Sequence, residues 1–232
     1  MKRSDVIKLA LEEVGYLGKK TNAKLYDKTA NTSGKYNKYA EELYEGGYYN
    51  GNKNGYNYCA VFCDWLFYHL AGSKEDAIEI KPYNVYNASC TWAKKAYQSA
   101  GRLSDKPEVG AQVFFLNKAG GSVSHTGMIV EITGDELVTV EGNVSNNVVS
   151  RRFKLTDPIL DSFGLPFYEE DEPEDDDVEV SKEQIAALLQ QVDNAYQLIE
   201  GSYNKLKDVG GQLTAALMQL DAVKEVLNNA ND

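Results

Sequence analysis

Histidine and cysteine are scarce in this chain of 232 residues, with two of the first and three of the second. An odd number of cysteines, without a secretory leader, argues against a disulfide framework. Cys59 and Cys63 are not a CxxC pair, no second Cys/His cluster completes a tetrahedral zinc site, and His69 and His125 are too isolated to supply one. No stretch approaches the roughly 20 apolar residues that a membrane helix needs, which excludes a helical membrane anchor as a reading. No basic stripe points to nucleic acid. The opening MKRSDVIKLALEEV starts basic like a secretory leader, but Lys8, Glu12 and Glu13 break its apolar run. Synthesis in a cytoplasm is therefore expected, with any export by another route.

What is present is a globular composition, 43% hydrophobic and 25% charged, enough to bury a core. The net charge of −11 is unevenly spread. Residues 1–166 hold 20 Lys+Arg against 19 Asp+Glu, whereas residues 167–232 hold 4 against 16. Periodicity predicts an amphipathic helix over Ser4–Tyr16, with Ser4 as N-cap and Val6, Leu9, Ala10 and Val14 as its buried stripe. Polar Gly/Asn/Tyr-rich loops follow, with a short helix near Asn37–Tyr44. Further helices are expected over Tyr58–Leu70 and Cys90–Ala100, each stopped by a glycine. The period then changes. Ala111–Leu116, His125–Ile132, Glu136–Glu141 and Asn147–Phe153 read as strands, with a hairpin turn at Thr133–Glu136. Helices first and an antiparallel sheet afterwards means an α+β class.

From Tyr168 to Val180 the run YEEDEPEDDDVEV repels itself and reads as a solvated linker. Beyond it a heptad seam runs through Ile185, Leu188, Val192, Ala195, Ile199, Ser202, Leu206, Val209, Leu213, Ala216, Leu220, Val223 and Leu227. Leu189, Tyr196, Tyr203 and Leu217 widen the stripe toward a bundle. Gly210-Gly211 interrupts it at a cost of roughly 2 kcal/mol relative to alanine, which leaves a coiled coil and a helical hairpin both open. The apolar face needs a partner helix. Self-association is expected, with docking back onto the first domain as the alternative. The domains expected are 1–168, an acidic linker at 169–180 and a helical segment at 181–230.

The stretch NGYNYCAVFCDWLFYHL concentrates the chemistry. Cys59 opens the predicted helix after a Gly/Asn-rich loop, where unpaired N–H groups and the helix dipole favour a thiolate. Cys63 lies a turn further in, between Phe62 and Trp65, where a cysteine behaves as a small core residue. A cysteine nucleophile needs an imidazole base and a group to orient it. His69 is ten residues along the same helix, roughly 15 Å up its axis, and cannot reach. His125 opens a strand, and antiparallel pairing across Thr133–Glu136 returns Glu141 and Asn143 beside it. Asp64 is expected on a solvated face, Trp92 and Phe115 in the core, and Cys90 as a structural thiol.

The order of these pieces is similar to the CHAP domains, the cysteine- and histidine-dependent amidohydrolases/peptidases of phage lysins and bacterial wall enzymes. ALEEVGYLGKKTNAKLYDKTANTSGKYNKYA, YCAVFCDWLF, ASCTW, VGAQVFFLN, HTGMIVEI, TVEGNVS and FGLPFYEE follow in the family's order over about residues 4–168. The resemblance implies a papain-like α+β fold and hydrolysis of peptidoglycan amides by a phage-type endolysin, as N-acetylmuramoyl-L-alanine amidase or as endopeptidase. It also implies Cys59 as nucleophile, His125 as base, Glu141 as the group that orients it and Asn143 as a supporting polar residue. The Cys59 N–H would help hold the oxyanion. Tyr58 stands where the family usually has tryptophan and is expected to offer substrate a flat wall. The FGLP ending lacks the family's usual arginine. Some relatives bind calcium ahead of the cysteine. Here Asn50, Asn52 and Asn54 bring no carboxylate, so neither a tight calcium site nor any other cofactor is expected. The rival expectations are a catalytically silent wall-associated module and a hydrolase of a cytoplasmic amide. Selective labelling of Cys59, but not Cys63 or Cys90, is the mark expected of the enzyme.

Overall fold

The protein is described by a computed structural model over residues 1–84, 88–169, 190, 192–194, 197 and 199–213. The chain divides into two units, Met1–Glu172 and Pro173–Asp232.

In the first unit the described helices are α1 (Arg3–Glu12), α2 (Lys38–Glu45), α3 (Cys59–Ala71), α4 (Lys74–Ile80) and α5 (Cys90–Ser99). The strands are β1 (Leu103–Ser104), β2 (Gln112–Leu116), β3 (Val123–Thr133), β4 (Glu136–Val144), β5 (Asn147–Lys154) and β6 (Leu160–Gly164). They form one sheet in the order β1-β6-β2-β3-β4-β5, and every pairing is antiparallel. This is the α+β class expected from the sequence.

Local chemistry sets most of the boundaries. Asn37 caps α2 by accepting the Ala40 N–H at 2.8 Å. Gly72 ends α3 in the left-handed region at φ 75°. One expectation fails at α1, where Lys2 and not Ser4 stands at the N-cap. The Met1 ammonium pairs with Glu169 at 2.8 Å and Lys2 bridges to Glu169, so a tertiary anchor starts the helix two residues early. The sequence also passed over α4, whose cap is a local exchange between Ser73 and Asp76.

Helix α3 is buried from Cys59 to Phe67. A helix apolar on all sides belongs inside a core. It packs between Tyr39, Ala40 and Leu43 of α2 and Met128, Val130, Val140 and Val148 of the sheet. The pleat sends alternate side chains to opposite faces. Ile129 therefore points away from Met128 and Val130, into a second cluster with Val113, Phe115, Leu137, Phe153 and Phe163.

In the second unit the described residues within 190–213 are helical, and the helix runs unbroken through Gly210 and Gly211 to residue 213. The bend weighed for that glycine pair is not there. Val192, Ile199, Tyr203, Leu206, Val209 and Leu213 are 60–72% exposed along this helix. The remaining seam residues Ile185, Leu188, Ala195, Ala216, Leu220, Val223 and Leu227, and the acidic run from residue 170 onward, lie outside the described residues. No helix among the described residues is long and apolar enough to cross a membrane.

Candidate active site

The site forms where the first residues of α3 and α5 meet the start of β3. Two close approaches seat α3. Gly142 of β4 leaves room for its first turn, since a Cβ there would lie 2.6 Å from Phe62 Cβ. Tyr58, the residue before the helix, is fully buried and donates its hydroxyl proton to the Asn146 carbonyl at 2.5 Å. It also accepts the Asn143 N–H. The β4–β5 turn wraps this hydroxyl with Asn143, Ser145 and Asn146 all at positive φ. Tyr58 is thus an anchor inside the core, packed near Tyr39, and the exposed stacking wall expected of it is absent. A tyrosine at this point has a long enough reach to bond the turn, which takes its ring away from solvent.

On α5 the Ser89 side chain caps the helix by accepting the Trp92 N–H. Thr91 reaches the Val123 carbonyl of β3 at 3.4 Å. Cys90 is therefore held beside the strand that carries His125. It is not the remote structural thiol expected from sequence. Cys59 and Cys90 open α3 and α5, both are free thiols, and each shifts the other's proton affinity. The Cys59 side chain draws the Cys90 thiol down to about 7; burial works against this, and the charge of His125 and the N–H groups of Thr91 and Cys90 support it. The Cys90 side chain, then burial and the neighbouring sulfurs, push the Cys59 thiol well up, against the help of the Ala60 N–H. The pair thus gives up one proton easily and a second only with difficulty, because two neighbouring thiolates repel. Cys63 is fully buried, and burial raises its thiol as well. It behaves as the core residue expected.

The imidazole is held from its far side. His125 Nε2 lies 2.7 Å from Glu141 Oε2, and Glu141 has no exposed surface. A carboxylate only accepts, so Nε2 carries a proton, and in the neutral ring Nδ1 is the nitrogen left as acceptor. Glu141 also accepts from Thr139 Oγ1 at 2.5 Å and from Arg151, whose Nε lies 3.1 Å from both carboxylate oxygens. The Arg151 Nη2 contact is 2.5 Å. Burial disfavours the Glu141 charge, but the hydrogen bonds from His125, Arg151 and Thr139 outweigh it and hold the carboxyl below its usual pKa. Gly127, between His125 and the core of β3, makes room for this carboxylate: a Cβ there would lie 2.4 Å from Glu141 Cγ. The ring of Phe115, opposite His125 across β2–β3, packs 5.7 Å from the imidazole.

The structure joins His125 to Glu141 and sets Cys59 and Cys90 at the heads of α3 and α5, with Cys90 within the field of His125. Asn143 does not bond the imidazole, and its Oδ1 is buried with no hydrogen-bond partner. Arg151 and Thr139 went unnoticed in the sequence. The signal was the register: Thr139 pairs with Arg151 two residues from Glu141, so all three meet once β4 and β5 are aligned. Asp64, expected in solvent, is fully buried in a 2.5 Å ion pair with Lys81. The angles of this pair fall outside hydrogen-bond geometry, and Tyr49 donates to the other carboxylate oxygen at 2.5 Å. Trp92, expected in the core, is 38% exposed, with Lys95 Nζ 4.0 Å from its ring centre. His69 is exposed at the far end of α3, 3.2 Å from Glu42. In the loop before Cys59, Asn52 and Asn54 both donate to Glu41 Oε2. Among the described residues, no group of three or more His, Cys, Asp or Glu is placed to hold a metal ion.

Residues 49–143 match the family model of the CHAP domain. No curated protein matches the chain. Among solved structures it is similar to the crystal structure of Ly7917, at 11% identity and a TM-score of 0.43 over 72% of this chain and 63% of that one. It is similar over the same shares to the crystal structure of Ly7917 with the hydrolyzing product of MDP, at 11% identity and a TM-score of 0.40. The chain thus spans less than two thirds of the length of these structures.

Proposed function

We propose that this chain, which carries a CHAP domain at residues 49–143, is a peptidoglycan hydrolase that cuts an amide through a cysteine thioester. The observation that carries this is the buried Glu141 carboxylate fixed on His125 Nε2, with free thiols at the heads of α3 and α5. Cys59 attacks the scissile carbonyl carbon as its proton leaves for His125 Nδ1, directly or by way of Cys90. Unpaired N–H groups at the first turn of α3 favour the negative oxygen that forms. The imidazolium, held by the Glu141 charge, then gives its proton to the departing amine as the C–N bond breaks. Water, deprotonated by the same nitrogen, opens the thioester and restores the thiol.

Both a muramoyl–alanine amidase and an endopeptidase fit this chemistry. The setting we favour is an endolysin made in the cytoplasm of a phage-infected or lysogenic bacterium, on the strength of the sequence resemblance. The exposed seam of the second unit supports a homo-oligomer that presents several catalytic units at once. Purified peptidoglycan incubated with the protein tests the function. Mass spectrometry of the soluble fragments is expected to show one new amine end and one new carboxyl end, which also names the bond. No release above that of Cys59→Ala overturns the assignment.

A second reading has its own support. Cys90 is the less buried and more acidic of the two thiols and feels His125, which suits it to be the attacking sulfur. Trapping the acyl-enzyme and mapping the modified peptide separates the two.

A further inference from the structure

The middle of α3 holds a second group of reactive side chains, fully enclosed in the core. Asp64 of α3 and Lys81, the residue after α4, have no exposed surface, and Lys81 Nζ lies 2.5 Å from Asp64 Oδ1. An ammonium carries three donors. Among the described residues Lys81 Nζ has no hydrogen-bond acceptor and Asp64 Oδ1 has no donor, because the angles of their own contact exclude a hydrogen bond. The surroundings are aromatic: the Tyr97 ring centre lies 5.5 Å from Nζ, and Tyr48 and Tyr49 are buried as deeply. A buried ion pair offsets its desolvation only when hydrogen bonds satisfy what the charges leave over, and this nitrogen has none. The polar contact that the carboxyl does make is on its far oxygen, where Tyr49 donates to Asp64 Oδ2 at 2.5 Å. Amine, carboxyl and hydroxyl thus stand in the order that amide formation needs. A nucleophile meets one carboxyl oxygen, a proton donor holds the other, and bulk water is shut out.

We propose that Lys81 Nζ and Asp64 Cγ join in an intramolecular isopeptide bond, made by the folded chain itself. Nζ gives a proton to Oδ1, and a neutral amine then faces a neutral carboxyl, which a dry core favours over two charges. The amine lone pair attacks Cγ. The N–C bond forms, and an electron pair moves onto Oδ2, where the Tyr49 hydroxyl supports the negative oxygen. A second proton passes from the nitrogen to Oδ1. The Cγ–Oδ1 bond breaks, Oδ1 leaves as water, and Oδ2 returns to a carbonyl. One ammonium and one carboxylate become one amide and one water, with no change of oxidation state and no co-reactant. The amide is uncharged, keeps its bond from Tyr49, and has one N–H where the ammonium had three, so the polar demand left unmet in the core falls. The bond ties α3, five residues beyond Cys59, to the end of α4 and closes a loop that no reductant opens. It braces the helix that carries the proposed nucleophile, and it forms whether or not the chain cuts peptidoglycan.

The test is the mass of the purified full chain, reduced, alkylated and denatured. It is expected to fall one water short of the sequence. Trypsin is expected to leave the Asn54–Lys74 and Glu75–Lys94 peptides joined, since Pro82 protects the Lys81 peptide bond, and fragmentation should place the link between Asp64 and Lys81. Alkylation of the thiols excludes a disulfide between the same two peptides. Lys81→Arg keeps a cation against Asp64 but cannot condense, so it should show the full mass of its sequence. Tyr49→Phe keeps the ring and removes the proton donor. When chains recovered unfolded are diluted out of urea, this variant should lose its water at least about tenfold more slowly than the wild type. A wild-type chain at the full mass of its sequence overturns the proposal, as does a water lost at any other place or lost from Lys81→Arg. Equal rates for wild type and Tyr49→Phe overturn the part given to the tyrosine. The mass is read whatever the chain does to walls, so failure of the bond and failure of the hydrolase assignment are separate results.

Discussion

Replacing Glu141 with glutamine is the sharpest perturbation of the site, because it keeps the shape of the side chain and removes its charge. In the native site both carboxylate oxygens accept: Oε2 from His125 and Arg151, Oε1 from Thr139 and Arg151. Glutamine has one acceptor oxygen and an NH2 group that only donates. If the oxygen faces His125, the NH2 group can bond the Thr139 hydroxyl but meets the Arg151 N–H donor against donor. If the amide is turned, the NH2 group faces His125 Nε2 and favours the opposite tautomer, with the proton on the nitrogen that should act as base. The Arg151 side chain is 38% exposed and can turn to water, which limits the damage to stability. A loss of about 2–3 kcal/mol is expected, the scale of one or two hydrogen bonds to a charged group. Activity suffers more. The imidazolium formed in each half-reaction loses its counter-charge, and an orienting carboxylate of this kind is worth about 10³- to 10⁴-fold in kcat. At 1.36 kcal/mol per decade that is about 4–5 kcal/mol of barrier. The pH dependence gives a third readout. The folded pKa of Glu141 lies below its ordinary value of 4.5, so its contribution is fully present above that value and is lost as pH falls through the folded pKa. The variant should therefore lose part of the acid-side slope of stability and leave the neutral range unchanged in shape. Thermal unfolding against pH and dye release from labelled peptidoglycan make the measurements. A kcat within about fivefold of the wild type would refute the role given to this carboxylate.

Four other outcomes are expected. Iodoacetamide labelling followed by peptide mass spectrometry should modify Cys90 first, half-maximally near pH 7, with Cys59 behind it and Cys63 last, which replaces the Cys59 selectivity expected from sequence; equal rates for all three would contradict this order. Gly127→Ala should lower kcat by about tenfold or more with folding retained, because its Cβ pushes on Glu141 Cγ; wild-type kcat means that the carboxylate is not positioned through this gap. Lys81→Met should destabilise by about 3–5 kcal/mol in urea unfolding, since it leaves Asp64 charged and buried, and the double variant with Asp64→Leu should recover most of the loss. Leu206→Asp should shift the full chain toward monomer in analytical ultracentrifugation, and a wild-type chain already monomeric at micromolar concentration would remove the oligomer from the account.

Much of the site was legible because short-range rules wrote it. A nucleophile at a helix head is visible as the first cysteine after a Gly/Asn loop and before an apolar run. The hairpin at Thr133–Glu136 closes as expected, with Thr133 opposite Glu136, but a bulge between Ile129 and Glu131 shifts the register by one residue and puts Glu141 on the face of His125. Period and turn chemistry are local properties, and they survive folding when nothing overrides them. Overrides are equally traceable. Ser4 lost its cap position to an anchor made by Glu169, which is 165 residues away in sequence. The strands β1 and β6 were too short and mixed to be seen, yet β6 pairs beside β2 in the interior of the sheet.

The sequence by itself determined the class of the fold, the helix that carries Cys59, and the hairpin that carries His125 and Glu141, because periodicity, caps and a two-residue turn need only neighbours in the chain. Tertiary structure alone decided that the head of α5 with Cys90 is held to β3, that Arg151 and Thr139 share the Glu141 carboxylate, that Asp64 is buried against Lys81, and that Tyr58 turns inward. Each of these depends on which elements pack against one another, and on whether a buried charge or hydroxyl finds a partner there; no local pattern encodes the side of a helix or strand that a distant segment will cover.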